Sequence, residues 1–281
     1  MNMIFKIAKT ELQTLFYSPV AWLILIVFTF QASILFTGTF GMSVRSQALE
    51  YEVGNLTLFT FGGDYGLFTH IQQYLYLYIP LLTMGLMSRE LSSGSIKLLY
   101  SSPVTNKEIV LGKYFAMLVY GLVLIGILAI YVLYSACTIK AFDFTVALSG
   151  LLGLYLLICA YASIGLFMSS LTSYQVVSAM GTLAILAALS LVRGMWQDIE
   201  FVRDITYWLS INGRADEFVN GLICSEDILY FLIVIALFLT LTILRLQVIR
   251  QKTSWTIAWG RYIGVFLSPS CSVISVPAPD S

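Results

Sequence analysis

Charge is scarce in this chain. Asp, Glu, Lys and Arg make up 11% of its 281 residues, against roughly 25% in an ordinary soluble domain. With 59% hydrophobic residues and a mean hydropathy of +0.88, that scarcity excludes a soluble globular protein and predicts an all-α integral membrane protein. Net charge is missing too: fifteen basic and fifteen acidic residues cancel, which offers nothing to a nucleic acid or a strongly charged soluble ligand. Histidine is all but absent, and Cys137, Cys159, Cys224 and Cys271 form no C-x-x-C and have no paired His, so no zinc-type metal site is expected. The phosphate-cradling G-x-x-x-x-G-K-[ST] does not occur. Gly112-Lys113 is followed by Tyr114 and preceded by no glycine-rich loop, so any ATP chemistry belongs to another chain.

What is abundant is apolar sequence in long runs. Roughly 20 such residues cross the hydrocarbon core as a helix, and the runs free of Asp, Glu, Lys and Arg predict six transmembrane helices, at about 20–40, 71–87, 115–137, 147–168, 176–192 and 228–244. The fourth and fifth come from one uncharged stretch, Phe144 to Val192, too long for a single helix and broken at Ser169-Ser170-Leu171-Thr172-Ser173. The first run is longer than the core of a signal peptide and has no small-residue cleavage site, so it is expected to stay.

Basic residues in short loops set orientation. With the N-terminus inside, the cytoplasmic segments hold Lys6, Lys9, Arg89, Lys97, Lys107, Lys113, Arg245, Arg250, Lys252 and Arg261. The other side holds Arg45, Lys140, Arg193, Arg203 and Arg214, together with eleven of the fifteen acids. Both termini are therefore expected in the cytoplasm. Ahead of the first span, Met1 to Tyr17 sorts Ile4, Phe5, Ala8, Leu12, Leu15 and Phe16 onto one helical face and Lys6, Lys9, Thr10, Gln13 and Thr14 onto the other. That is the pattern of a helix lying on the membrane, preferred here over a plain basic lead into an anchor.

Ser88 to Lys113 is a compact, charged, water-facing insert between the second and third spans. On a helical wheel Glu90, Gly94 and Lys97 fall on one side and Leu91, Ser95, Leu98 and Leu99 on the other, which predicts a short interfacial helix over Glu90 to Leu99 with its polar edge toward the cytosol. Gly94 costs about 1 kcal/mol there relative to Ala, reasonable if another group approaches closely. Ser101-Ser102-Pro103 then breaks the chain, and Thr105-x-x-Glu108 is a capping box. From it a helix runs through Lys113 into the third span, so Pro103, Thr105, Glu108 and Lys113 anchor the insert. Taken alone, these residues describe an ordered helix–turn–helix or an ordinary loop at the membrane surface.

The remaining candidates have structural readings. His70 lies among Tyr65, Phe68, Tyr74, Tyr76 and Tyr78 and is expected in an aromatic belt rather than as a ligand. Cys137 and Cys224 share the outer side; chance placement is preferred over a disulfide. No ionisable residue is placed inside a span, whereas Gln31, Gln72 and Gln73 offer hydrogen bonds to a substrate or a neighbouring helix. Glycines 121, 126, 150, 153, 165 and 181 suit close helix packing, and Pro80 a kink. The outer segment Arg193 to Asp227, with seven acids against three bases and with Trp196, Tyr207 and Trp208, reads as an acidic cap partly resting on the membrane, with substrate entry or contact to an extracytoplasmic partner as the alternative. The Ser/Pro-rich end after residue 267 is expected to be disordered.

The order of parts, and the residues Glu90, Gly94, Leu98-Leu99, Ser102-Pro103-Val104 and Glu108-Ile109-Val110-Leu111-Gly112-Lys113, resemble the permeases of type-2 ABC exporters, closest to the bacterial subgroup associated with gliding motility and copper-enzyme maturation. The resemblance implies a transmembrane domain over 1–250 with a tail at 251–281. It makes Glu90 to Leu99 a coupling helix that docks on a separate ATPase subunit, which holds the ATP and magnesium. It further implies a second permease copy, residence in the bacterial inner membrane, and a transport subunit with no catalysis of its own. Two other readings stay open: a membrane scaffold that holds a soluble partner without transport, and an ion-coupled secondary carrier.

Overall fold

The computed structural model describes residues 3–48, 55–63, 65–95, 104–139, 142–191 and 211–251. Expectations for Lys97, Leu98, Leu99, Pro103, Trp196, Tyr207, Trp208 and the tail from Lys252 lie outside the described residues. Regular structure among the described residues is entirely helical, as expected where no water is at hand to satisfy an exposed backbone. The order is α1 Met3–Tyr17, α2 Pro19–Ala48, α3 Leu56–Phe61, α4 Leu67–Thr83, α5 Ser88–Ser93, α6 Asn106–Thr138, α7 Phe144–Leu171, α8 Gln175–Leu191, α9 Ile211–Val219 and α10 Ser225–Gln251.

Each expected span overlaps one of α2, α4, α6, α7, α8 and α10. Four of these, α2, α6, α7 and α10, are long and apolar enough to cross a membrane, while α8 is apolar but shorter. α2 outruns its expected end at residue 40 by eight residues, reaching Ala48 with Arg45 in its last turn, where a cation favours the helix dipole. The serine-rich break expected at 169–173 is real: α7 stops at Leu171 and α8 begins at Gln175.

α7 is the central helix. Within its apolar stretch 67% of residues are buried inside the molecule, against 28% in α10 and 33% in α2, and it packs on α3, α4, α5, α6, α8, α9 and α10. Small residues admit the neighbours: a Cβ on Gly153 would lie 2.3 Å from Phe218 Cβ, and one on Gly165 would lie 2.7 Å from Thr83 Cβ. Gly121, Gly150 and Gly181 are likewise tight, but a Cβ on Gly126 would meet nothing within 4 Å, so that glycine serves no packing contact among the described residues. By contrast Trp22, Leu23, Ile26, Phe30 and Ile34 of α2 are exposed, an apolar face suited to a lipid environment.

The expected aromatic belt around His70 is only half present. Tyr65 and Tyr74 are exposed, but Phe68 is fully buried and Tyr78 donates a hydrogen bond to Gln31 Oε1. The helical period decides this: Phe68, Ile71, Leu75, Tyr78 and Leu82 form the inward stripe of α4. His70 stays local, its Nδ1 3.0 Å from the Gly66 carbonyl. Of the three glutamines, Gln31 and Gln72 bond to other elements and Gln73 is exposed. Cys137, Cys159 and Cys224 are all free thiols.

Gly165→Ala should lower stability by about 1–3 kcal/mol through overpacking, whereas Gly126→Ala should leave it unchanged or raise it by up to about 1 kcal/mol. Thermal unfolding of the purified protein in detergent reads the difference.

Candidate functional site

The end of the molecule that carries Lys6, Lys9, Arg89, Lys107, Lys113, Arg245 and Arg250 is built around the insert. Its second half folds as expected. Thr105 caps α6: its Oγ1 accepts from the Glu108 amide at 3.3 Å, and Glu108 Oε2 accepts from the Thr105 amide at 2.9 Å. Ile109 and Val110 are buried behind the cap. Gly112 lets α1 close onto α6, because a Cβ there would lie 2.7 Å from Ile7 Cγ2 and 3.2 Å from the Ile4 carbonyl oxygen.

The first half departs from expectation. The described helix is α5, Ser88–Ser93, which starts two residues before the expected Glu90 and is capped at Gly94; residues 96–99 of the expected helix lie outside the described residues. Gly94, with φ +71, ends it in the left-handed conformation, which an L side chain adopts only with strain. Among the described residues nothing lies within 4 Å of a Cβ on Gly94, so there the glycine answers to its backbone conformation. Leu91 packs partly buried on the core, as its side of the wheel requires. Ser95 is tied locally, its amide donating to Ser93 Oγ at 3.4 Å.

Glu90 does not face the cytosol. Lys113 is 1% exposed, and its Nζ pairs with Glu90 Oε1 at 2.7 Å and with Glu11 Oε1 of α1 at 2.5 Å. One buried ammonium thus joins α1, α5 and α6. Glu90 Oε2 is buried with no partner among the described residues, where the cluster holds more acceptor capacity than donors. The residues left outward on α5 are Arg89, Ser92 and Ser93.

A second lock comes from α7. Ser169 Oγ accepts from the Met87 and Ser88 amides, both at 3.0 Å, and donates to the Met84 carbonyl at 2.9 Å. It caps α5 in place of Met87, whose side chain makes no capping bond, and it uses the full capacity of a hydroxyl. The α1–α2 corner is pinned as well, by Trp22 Nε1 donating to the Phe16 carbonyl at 2.7 Å and Tyr120 OH donating to the Ala21 carbonyl at 2.8 Å.

Glu11 and Ser169 were not singled out by the sequence. For Glu11 a signal existed: it falls on the same helical stripe as Ile4, Ile7, Ala8 and Leu15, and a carboxylate on a buried stripe needs a partner. Ser169 had only its place in the break between helices.

The opposite end is acidic, with Asp143, Asp216, Glu217, Glu226 and Asp227 among the described residues. There α9 wedges between α7, α4 and α10. Gln72 Nε2 donates to Asp216 Oδ1 at 2.9 Å, the Gly63 amide donates to Asn220 Oδ1 at 3.1 Å, and Arg214 pairs with Asp227 in a buried ion pair while stacking 4.7 Å over the Tyr230 ring.

Lys113→Met should cost about 3 kcal/mol, because two carboxylates lose the charge that balances them. Adding Glu11→Gln and Glu90→Gln should recover most of it; chemical unfolding in detergent checks both. Ser169→Ala leaves the Met87 and Ser88 amides unpaired and should cost about 1–3 kcal/mol, with hydrogen exchange accelerated at those two amides.

Comparison with known proteins agrees with this architecture. A search of curated proteins finds no match. The model of a family described as ABC-2 family transporter protein matches residues 5–248, a stretch that runs from α1, ahead of Glu11, to within three residues of the end of α10. The chain therefore belongs to the ABC-2 family of transporter proteins and is a multi-pass membrane permease component of an ABC transporter.

Proposed function

We propose that this chain is the six-span permease subunit of an ATP-driven exporter, residing in a bacterial inner membrane with both termini cytoplasmic. In this reading it works as a dimer with a separate ATPase subunit. The observation that carries the proposal is the Lys113 cluster. A soluble motor can move membrane helices only through an element bound rigidly to them, and α5 is bound through a buried ion pair to α6, through the same lysine to α1, and through Ser169 to α7.

In this reading α5 is the coupling helix, and its outward residues Arg89, Ser92 and Ser93 meet the ATPase, while Glu90 and Lys113 transmit rather than dock. Displacing α5 either carries α1 and α6 with it or separates a buried ion pair at a cost of about 3–5 kcal/mol. ATP and magnesium belong to the partner; no G-x-x-x-x-G-K-[ST] occurs in the chain.

Co-purification with the ATPase encoded by the neighbouring reading frame tests this. Ser92→Trp and Ser93→Trp should each abolish retention of the ATPase, while Thr138→Trp, exposed at the far end of α6, should leave it intact. Retention unaffected by both serine substitutions would overturn the docking assignment. Transport in vesicles driven by an ion gradient without any nucleotide-binding subunit would overturn the exporter reading.

A further inference from the structure

The link between α9 and α10 brings together three side chains of metal-ligating type. Glu217 lies in the last turn of α9, Cys224 just before α10, and Asp227 in the first turn of α10. The turn is held by the Leu222 amide donating to the Glu217 carbonyl at 2.9 Å and the Asp227 amide donating to the Cys224 carbonyl at 3.2 Å. Through it, a carboxylate oxygen of Glu217, Cys224 Sγ and a carboxylate oxygen of Asp227 come within 4.8 Å of one another.

A second observation makes the cluster more than a chance meeting of acids. Asp227 is 2% exposed, and its Oδ1 is committed to Arg214, but its Oδ2 is buried with no hydrogen-bond partner among the described residues. A buried carboxylate oxygen without a partner costs about 1–3 kcal/mol or more, and a cation is one group that removes the cost.

We propose that Glu217, Cys224 and Asp227 form a site for a divalent metal of the Zn2+ class, which clips α9 to the start of α10. The donor set is one sulfur and two oxygens, with water in the fourth position. A thiolate selects a borderline or soft ion over Mg2+ and Ca2+. At zinc–sulfur and zinc–oxygen lengths of about 2.3 and 2.1 Å, the ligand atoms sit about 3.6 Å apart. The cluster must therefore contract by at most about 1 Å, within reach of side-chain rotation for the exposed Cys224 and the half-buried Glu217.

The charges close as well. Binding releases the Cys224 proton to water, so a thiolate and two carboxylates place three negative charges on a doubly positive ion. Arg214, held on Asp227 Oδ1 and over Tyr230, supplies the remaining positive charge and orients the ligand from outside the shell.

The test uses the purified full-length protein in detergent, titrated with Co2+ and then Zn2+. Binding of a single Co2+ per chain is expected, with a cobalt–thiolate charge-transfer absorption that Zn2+ abolishes and Mg2+ does not. Cys224→Ser should remove the absorption. Glu217→Gln should keep the fold, judged by an unchanged thermal midpoint without metal, and weaken Co2+ binding by about tenfold or more. Zn2+ should also slow hydrogen exchange across 220–227 in the parent protein and not in Cys224→Ser. No absorption in the parent protein, an absorption that survives Cys224→Ser but is lost in Cys137→Ser, or unchanged affinity in Glu217→Gln would each overturn the site.

Discussion

Lys113 is buried between Glu11 and Glu90, which reach its Nζ at 2.5 and 2.7 Å. Removing an ammonium from water costs several kcal/mol even after relaxation, so α1, α5 and α6 hold their relative positions or leave that charge uncompensated. The neighbouring contacts follow from it. Gly112 must be small so that α1 can bring Glu11 within reach, and Thr105 must cap α6 where it does so that Lys113 points inward. A surface pair of the same residues would be worth little; burial turns this one into a joint.

The rest of the molecule is arranged around α7, which touches both ends. At the basic end its Ser169 holds the turn into α5, and at the acidic end its Gly153 receives Phe218 of α9. A displacement at α5 therefore meets the same rigid helix that supports the far cap. The faces of α2, α6, α8 and α10 that turn away from α7 are apolar and exposed, which a bilayer tolerates and water does not. Several polar groups inside the bundle find neighbours, as with Tyr78 on Gln31 and with Ser33 and Tyr131 at 2.7 Å, which a low-dielectric interior favours.

Much of the fold was legible because membrane helices announce themselves through composition. Uncharged runs located α2, α4, α6, α7, α8 and α10, the cluster of serines located the break before α8, and Thr105 with Glu108 located the start of α6. The candidate site was legible in part. Ser88 to Lys113 stood out as the hydrophilic insert, but the wheel assigned Glu90 to the cytosol because amphipathicity treats every charge as water-seeking. A charge turns inward when a partner waits there, and the partner lay 23 residues away in Lys113. Gly94 was read for proximity when its left-handed backbone was the reason for it.

By itself the sequence determined the class of the protein, the order of its apolar helices, the cap of α6, and the place of the insert. These properties depend on hydrophobicity and on hydrogen bonds between residues a few positions apart, which a linear reading contains. Only the tertiary structure decided that Glu11 and Glu90 share Lys113 and that Ser169 caps a helix 81 residues upstream. Those depend on which faces of distant helices meet, and the packing of glycine notches against bulky side chains sets that in three dimensions.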